Sequence, residues 1–290
     1  MAICLVFFNP AKSKRMLMNY LYVVNRYKNE GIPLYTIELT FGDAAHEIAD
    51  AVHVRSKSYM FHKERLCRLL EYHVPRKYTK LMFLDADVLF AGTEWYKDVS
   101  KLLNTHDVVQ PFRYAHWLDL TYTTTTLTRE TVLAMEGPVW NFKYHPGFAW
   151  AFRREWYRQV GFFDWAVSGS GDTLSAAHWL GKLFPKGFNS LPASLVNEYE
   201  KYCRLPRPRI ACLETGEVYH LYHGSRKNRQ YSERHTLLNV KTDIRKLVQT
   251  NWFGAYEWIS PATWNPAFLD YFKNRNDDDL SEDVSVKISS

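Results

Sequence analysis

Between Ile3 and Leu84 the chain alternates short, largely apolar runs with stretches whose apolar residues recur at helical spacing. Few folds accept that alternation. Ile3–Phe8 contains no charged side chain and reads as a buried strand. From Lys12 to Asn29, Met16, Tyr20, Val23, Val24 and Tyr27 fall on one helical face, and Gly31 and Pro33 end the pattern. Leu34–Leu39 and Ala51–Val54 are two further strands. Leu66, Leu69, Leu70 and His73 mark a helix running from about Phe61 and closed by Pro75, and Leu81–Leu84 is a fourth strand. Strands alternating with amphipathic helices in this way predict an α/β fold, a parallel sheet with helices on both faces.

Beyond Phe90 the alternation loosens. The spacing predicts a helix near Trp95–Leu103, a strand at Asp107–Phe112, a strand at Gly147–Phe152 and helices at Arg153–Val160 and Asp172–Leu180. A strand at Val218–Tyr222 and a helix at Glu233–Gln249 follow, and the Thr-rich run Thr121–Thr128 reads as a further strand. A chain of 290 residues holds one large domain. We place it at 1–250, with a first half to residue 112 and a second half after it. Residues 251–275 form an extension, and the acidic stretch from Asn276 to Ser290 is expected to be disordered.

Composition excludes several classes. No stretch approaches the roughly 20 apolar residues needed to span a bilayer, and the N-terminal apolar run lacks a basic lead-in. Cys4, Cys67, Cys203 and Cys212 form no C-x-x-C pair, so free thiols and a cytoplasmic location are expected. The net charge of +6, concentrated between Arg204 and Lys246, suits phosphate-bearing partners, whether a nucleotide or a nucleic acid. The 10 Trp and 19 Tyr fill a core or line a groove where rings stack.

The most informative stretch is Leu81-Met-Phe-Leu-Asp85-Ala-Asp87. About one D-x-D triplet is expected by chance in a chain this long. Here it ends a buried strand, at the carboxyl edge where open α/β sheets bind ligands. Two carboxylates two residues apart in extended chain lie roughly 6–7 Å apart on one side. They repel unless one is protonated or a cation lies between them, and a divalent ion shared with a diphosphate is the natural occupant. Capping of a turn by one Asp is the competing structural role.

At this point the chain resembles the GT-A glycosyltransferases, which implies a Rossmann-like, mixed but mainly parallel sheet flanked by helices. The resemblance implies a UDP-sugar donor and Mn²⁺ or Mg²⁺, with Asp87 as direct ligand and Asp85 on the ribose or a metal-bound water. It implies that the first strand ends read the nucleotide, Phe8 by stacking and Asn9 or Asp43 by hydrogen bonds. Lys63 and Arg65 would meet the phosphates. The stretch Tyr144-His-Pro-Gly147, continued by Val160-Gly-Phe-Phe-Asp164 and Gly169-Ser-Gly-Asp172, is similar to a galactosyltransferase pattern ending in Glu-Asp. The chain departs from it, since Gly171 stands where an acid is usual. Asp172 is then the candidate general base, or the cap of its helix, or both.

A third cluster, Val218-Tyr-His220-Leu-Tyr-His223, leads into Arg226, Lys227 and Arg229. By the same resemblance His223 is the third metal ligand, with His220 as the alternative, and the cations cover the diphosphate. One imidazole beside two carboxylates suits Mn²⁺. The reading that follows is an inverting, metal-dependent transfer of a sugar to a glycan or other hydroxyl acceptor, Trp117 and Trp140 being candidate stacking platforms. Transfer to a hydroxymethylated DNA base is an alternative, with Arg204, Arg207 and Arg209 tracking phosphates. A haloacid-dehalogenase-type phosphatase also begins from strand and D-x-D, but places the motif on its first strand.

Overall fold

The computed structural model describes residues 1–185, 188, 191–229 and 233–280. Among the described residues thirteen strands are present: β1 (Ala2–Phe8), β2 (Leu34–Phe41), β3 (Val52–Ser56), β4 (Lys80–Leu84), β5 (Val88–Phe90), β6 (Val108–Gln110), β7 (Tyr114–Leu118), β8 (Thr125–Glu130), β9 (Ala149–Arg153), β10 (Ile210–Cys212), β11 (Glu217–His220), β12 (Val248–Thr250) and β13 (Tyr256–Trp258). The helices are α1 (Lys14–Asn29), α2 (Lys63–His73), α3 (Trp95–Leu102), α4 (Arg154–Gln159), α5 (Gly171–Leu180), α6 (Val196–Tyr202), α7 (Glu233–Thr236) and α8 (Pro261–Asn274).

Seven strands form the main sheet in the order β10-β6-β9-β4-β1-β2-β3. All neighbours run parallel except β9, which is antiparallel to both β4 and β6. The expected mixed, mainly parallel α/β sheet flanked by helices is the observed one. The central strand β1 is apolar along its whole length because both faces are covered. Ala2 and Cys4 of β1, with Leu81 and Phe83 of β4, pack with Leu66 and Leu70 of α2. Ile3, Leu5, Met82 and Leu84 pack on the opposite face with Tyr20 and Val23 of α1. Ser13 caps α1 by accepting from Met16 N at 3.1 Å.

A smaller sheet, β5-β11-β7-β8, stands beside the first. β5 continues from β4 after only three residues, and it pairs antiparallel with β11. Short strands such as β5, β7, β10 and β12 span too few residues to carry a periodicity of their own, and sequence reading passes over them.

Two expectations need correction. The helix predicted at Glu233–Gln249 stops at Thr236. Asn239 Oδ1 accepts from Ala193 N, and Asp243 accepts from Arg245 N at 2.9 Å and from Asn197 Nδ2 at 2.8 Å. These side-chain bonds compete with helix, and the chain enters β12 instead. The second concerns the acidic stretch: Asn276–Leu280 is placed against the body of the protein, with Asp277 only 4% exposed. Residues 281–290 lie outside the described residues. The extension joins the core too, Trp258 and Phe268 packing in the α2-side cluster. All four cysteines are free. Among the described residues no helix is long and apolar enough to cross a membrane.

Candidate active site

The site begins where β4 ends. Asp85 N donates to Phe148 O at 2.8 Å, the chain turns through Ala86, and Val88 opens β5. Register then determines Asp87's neighbours. Val88 lies opposite His220 on β11, and Leu221 N donates to Asp87 O at 2.8 Å. His223 follows three residues on, before a left-handed Gly224 at φ +82° where a side chain would strike Asn276 O. Asp87 Oδ2 therefore lies 2.9 Å from His223 Nε2 and 3.6 Å from His220 Nε2, and the two Nε2 atoms are 3.1 Å apart. Phe148 stacks on the His220 ring at 4.9 Å and holds it in place.

These three side chains fit a divalent cation. Their donor atoms fall within 4.8 Å of one another, and Asp87 Oδ1 is buried without a hydrogen-bond partner among the described residues. Burial opposes charge on Asp87, but His220, His223 and Arg229 outweigh it and hold the carboxyl well below its usual range. Burial above all pushes His220 down to about 3, so it is a neutral ring with a lone pair to offer. Two imidazoles and a carboxylate suit Mn²⁺ or a similar borderline ion. Arg229 Nη2 lies 2.8 Å from His223 Nε2, and a bound cation would take that donor's place. A second trio, Glu38, His46 and His53, also gathers donor atoms. There Glu38 already accepts from Glu47 N and Ile48 N, and His53 Nε2 bonds Ile48 O at 2.6 Å. That cluster satisfies itself within its loop.

Asp85 faces the other way. Its Oδ1 is 2.5 Å from Lys63 Nζ at the start of α2. Burial raises Asp85 to about 6, against the pull of Lys63 and with a further push from Asp87. Next to Lys63, Glu64 is raised by burial to about 7, with Lys63 opposing and Asp172 adding to the shift. Two glycines make room for this acidic pair. A side-chain carbon on Gly171 would lie 2.3 Å from Glu64 Cδ, and one on Gly147 would lie 2.7 Å from Asp172 Oδ2. The missing acid at position 171 is thus matched in space by a carboxylate from α2. Asp172 stands in the first turn of α5, where it accepts from Thr173 N at 2.7 Å. The residue in the N-cap position is Ser170, not Asp172.

All of this opens onto one cavity of about 660 Å³. It brings together Asp85, Asp87, His220, His223, Lys63 and Asp172. Phe8, Arg226, Trp117 and Trp140 also line it. Other candidates lie elsewhere. Asn9 is engaged at both amide atoms with the Ser13 backbone, and Asp43 is an exposed turn residue after β2. Arg65 bonds Gly254 O and Asp164, and Lys227 is exposed and outside the cavity lining. Sequence reasoning missed Glu64, His145, Arg234, Arg275 and Asp277, which all line the cavity. For Gly171 facing Glu64, the departure from the motif was the available signal. The others reach the site through long-range packing. Backbone strain marks the same place: Phe148, Ser170 and Asn276 are all left-handed, at φ +72°, +65° and +46°.

No family model and no curated protein matches the chain. Several solved structures resemble it. A Drosophila β-1,4-galactosyltransferase 7 variant, in complex with manganese, UDP-Gal and xylobiose, aligns at 11% identity over 92% of this chain and 98% of its own, with a TM-score of 0.41. A glycosyltransferase involved in glycosylation of the major capsid of PBCV-1 aligns at 12% identity over 82% and 98%, TM-score 0.34. The galactosyltransferase LgtC, with donor and acceptor sugar analogues, aligns at 12% identity over 83% and 97%, TM-score 0.32.

Proposed function

We propose that the chain is a metal-dependent glycosyltransferase that moves a sugar from a UDP-sugar to an acceptor hydroxyl with inversion. The observation that carries this reading is the Asp87–His220–His223 trio at the end of a buried strand, with an unpartnered carboxylate oxygen, opening onto a cavity that also holds Asp172. Asp87, His220 and His223 would hold Mn²⁺ (or Mg²⁺), whose charge would stabilise the departing diphosphate.

The remaining work falls to side chains. Arg226 and Arg229 follow His223 on the cavity wall and are suited to cover the diphosphate. Lys63 binds Asp85 and keeps its own proton despite burial, because Asp85, Asp172 and Glu64 surround it. Asp172 takes the proton of the attacking hydroxyl, which is too weak an acid to react unaided. Phe8, in the wall at the end of β1, is placed to stack on a base.

Calorimetric titration of UDP with and without Mn²⁺ tests the assignment. Wild-type affinity is expected to rise with the ion, and Asp87→Ala to lose that dependence while remaining folded. UDP affinity indifferent to Mn²⁺ would refute it.

A further inference from the structure

The segment after α8 is tied down at three places. Asp278 accepts from Ser13 Oγ at 2.8 Å and from Lys14 N and Arg15 N at 3.1 and 2.8 Å, filling the open N-terminus of α1. Asp279 accepts from Asn228 Nδ2 at 3.0 Å, in the turn that carries the basic residues. Between them Asp277 is driven inward, and its Oδ1 lies 3.0 Å from His223 Nδ1 and 3.0 Å from Arg275 Nη2. Gly224 has no side chain to obstruct this approach, since its Cβ position is 2.5 Å from Asn276 O.

A histidine that gives one ring nitrogen to a metal is held by what its other nitrogen touches. An Nδ1–H donated to a carboxylate leaves the Nε2 lone pair facing Asp87 and fixes the ring plane. The carboxylate here is 4% exposed and held in turn by Arg275, so it has little freedom to leave. We propose that Asp277 is a positioning residue for the metal site, acting on His223 through its Nδ1. The inference rests on the metal-site reading above.

The test is a titration of the metal-free chain with Mn²⁺ alone, following the electron-spin-resonance signal of the free ion, beside thermal melts. Asp277→Ala is expected to weaken Mn²⁺ binding 10–100-fold. Asp277→Asn, which keeps an oxygen acceptor for Nδ1–H, should recover part of that loss. Asp278→Ala removes an adjacent negative charge and the anchor on α1 but leaves His223 untouched, so its Mn²⁺ affinity should stay near wild type even if its melting temperature falls. Wild-type-like affinity in a folded Asp277→Ala chain would overturn this inference and leave the metal site standing. Equal losses in Asp277→Ala and Asp278→Ala would also overturn it, by showing a general effect of the segment or its charge. A wild-type chain that binds no Mn²⁺ would overturn both readings.

Discussion

Glu64 sits against Gly171 on one side and follows Lys63 on the other, and burial governs its charge. Its carboxyl is raised from 4.5 to about 7. The folded chain therefore keeps a proton that the unfolded chain loses between about pH 4.5 and 7. Stability from this group falls as pH rises through that window and is level above it, a penalty on the order of 3 kcal/mol. Glu64→Gln is expected to match wild type near pH 4.5 and to exceed it at pH 8 by on the order of 1–3 kcal/mol. Urea unfolding at the two pH values, in chelator, measures this; equal stability at pH 8 would mean that Glu64 is ionised at no cost. For Asp172→Asn we expect transfer to fall by about 10²–10⁴ with donor affinity nearly unchanged, because only proton transfer is lost. Near-normal turnover would place the base elsewhere. At this scale, legibility followed chain distance. Asp85 and Asp87 stood out because an apolar run leads straight into them, and the two histidines because they end a strand. Glu64 looks like an ordinary charge at the start of a helix, and Asp277 like one acid of a polar tail.

Elements meet at buried Arg154, the first residue of α4. Its guanidinium donates to Glu71 Oε1, to Glu71 O and Val74 O at the end of α2, and to Pro75 O and Tyr78 O in the loop leading to β4. It satisfies the open carbonyls of one helix and anchors the loop before the strand that delivers Asp85. Removing the guanidinium leaves several carbonyls unpaired and Glu71 with Arg158 as its remaining partner, at 2.8 Å. Arg154→Ala is therefore expected to cost about 3–5 kcal/mol, seen as a melting temperature lower by roughly 10 °C. A loss under about 1 kcal/mol would show that water replaces the guanidinium. The pair was invisible in sequence, as Glu71 and Arg154 are far apart along the chain. By contrast β1, α1, β2, α2 and β4 were legible, because burial on both sheet faces writes largely apolar runs and one-sided helices. Legibility faded in the small sheet, where three-residue strands such as β5 are held by their partners rather than by their own pattern.

Across the whole molecule, the distribution of charge bears on which acceptor the cavity takes. Six Lys or Arg and five Asp or Glu residues line it, so its charges nearly balance, and the basic excess of the chain lies elsewhere. Arg209 is bound to Asp107 on the β10 side of the sheet, and Arg207 lies over Gly181 at the end of α5. Neither these two nor Arg204 lines the cavity, so the residues that would track a polynucleotide are not at its mouth. What the cavity does offer beside Asp172 is a wall of rings, Trp117, Trp140, Phe142 and Tyr144, suited to the apolar face of a sugar. The expectation is a small hydroxyl-bearing acceptor whose binding depends little on ionic strength. Six to ten phosphate contacts would weaken binding about 10³–10⁵-fold between 50 and 200 mM salt. We expect the acceptor KM to change by less than about threefold over that range, since few counterions would be released. Trp117→Ala should raise that KM, since stacking on an acceptor ring is lost; because the same ring packs against Phe148 at 4.9 Å and His220 at 6.2 Å, UDP affinity measured alongside separates loss of the acceptor platform from a disturbed metal trio. An acceptor screen run at the two salt concentrations, beside mobility shifts with plain and hydroxymethylated duplexes, decides it. Tight, salt-sensitive duplex binding with sugar appearing on the modified base would overturn this choice of acceptor and would require a path for phosphates across the rim that carries Arg226.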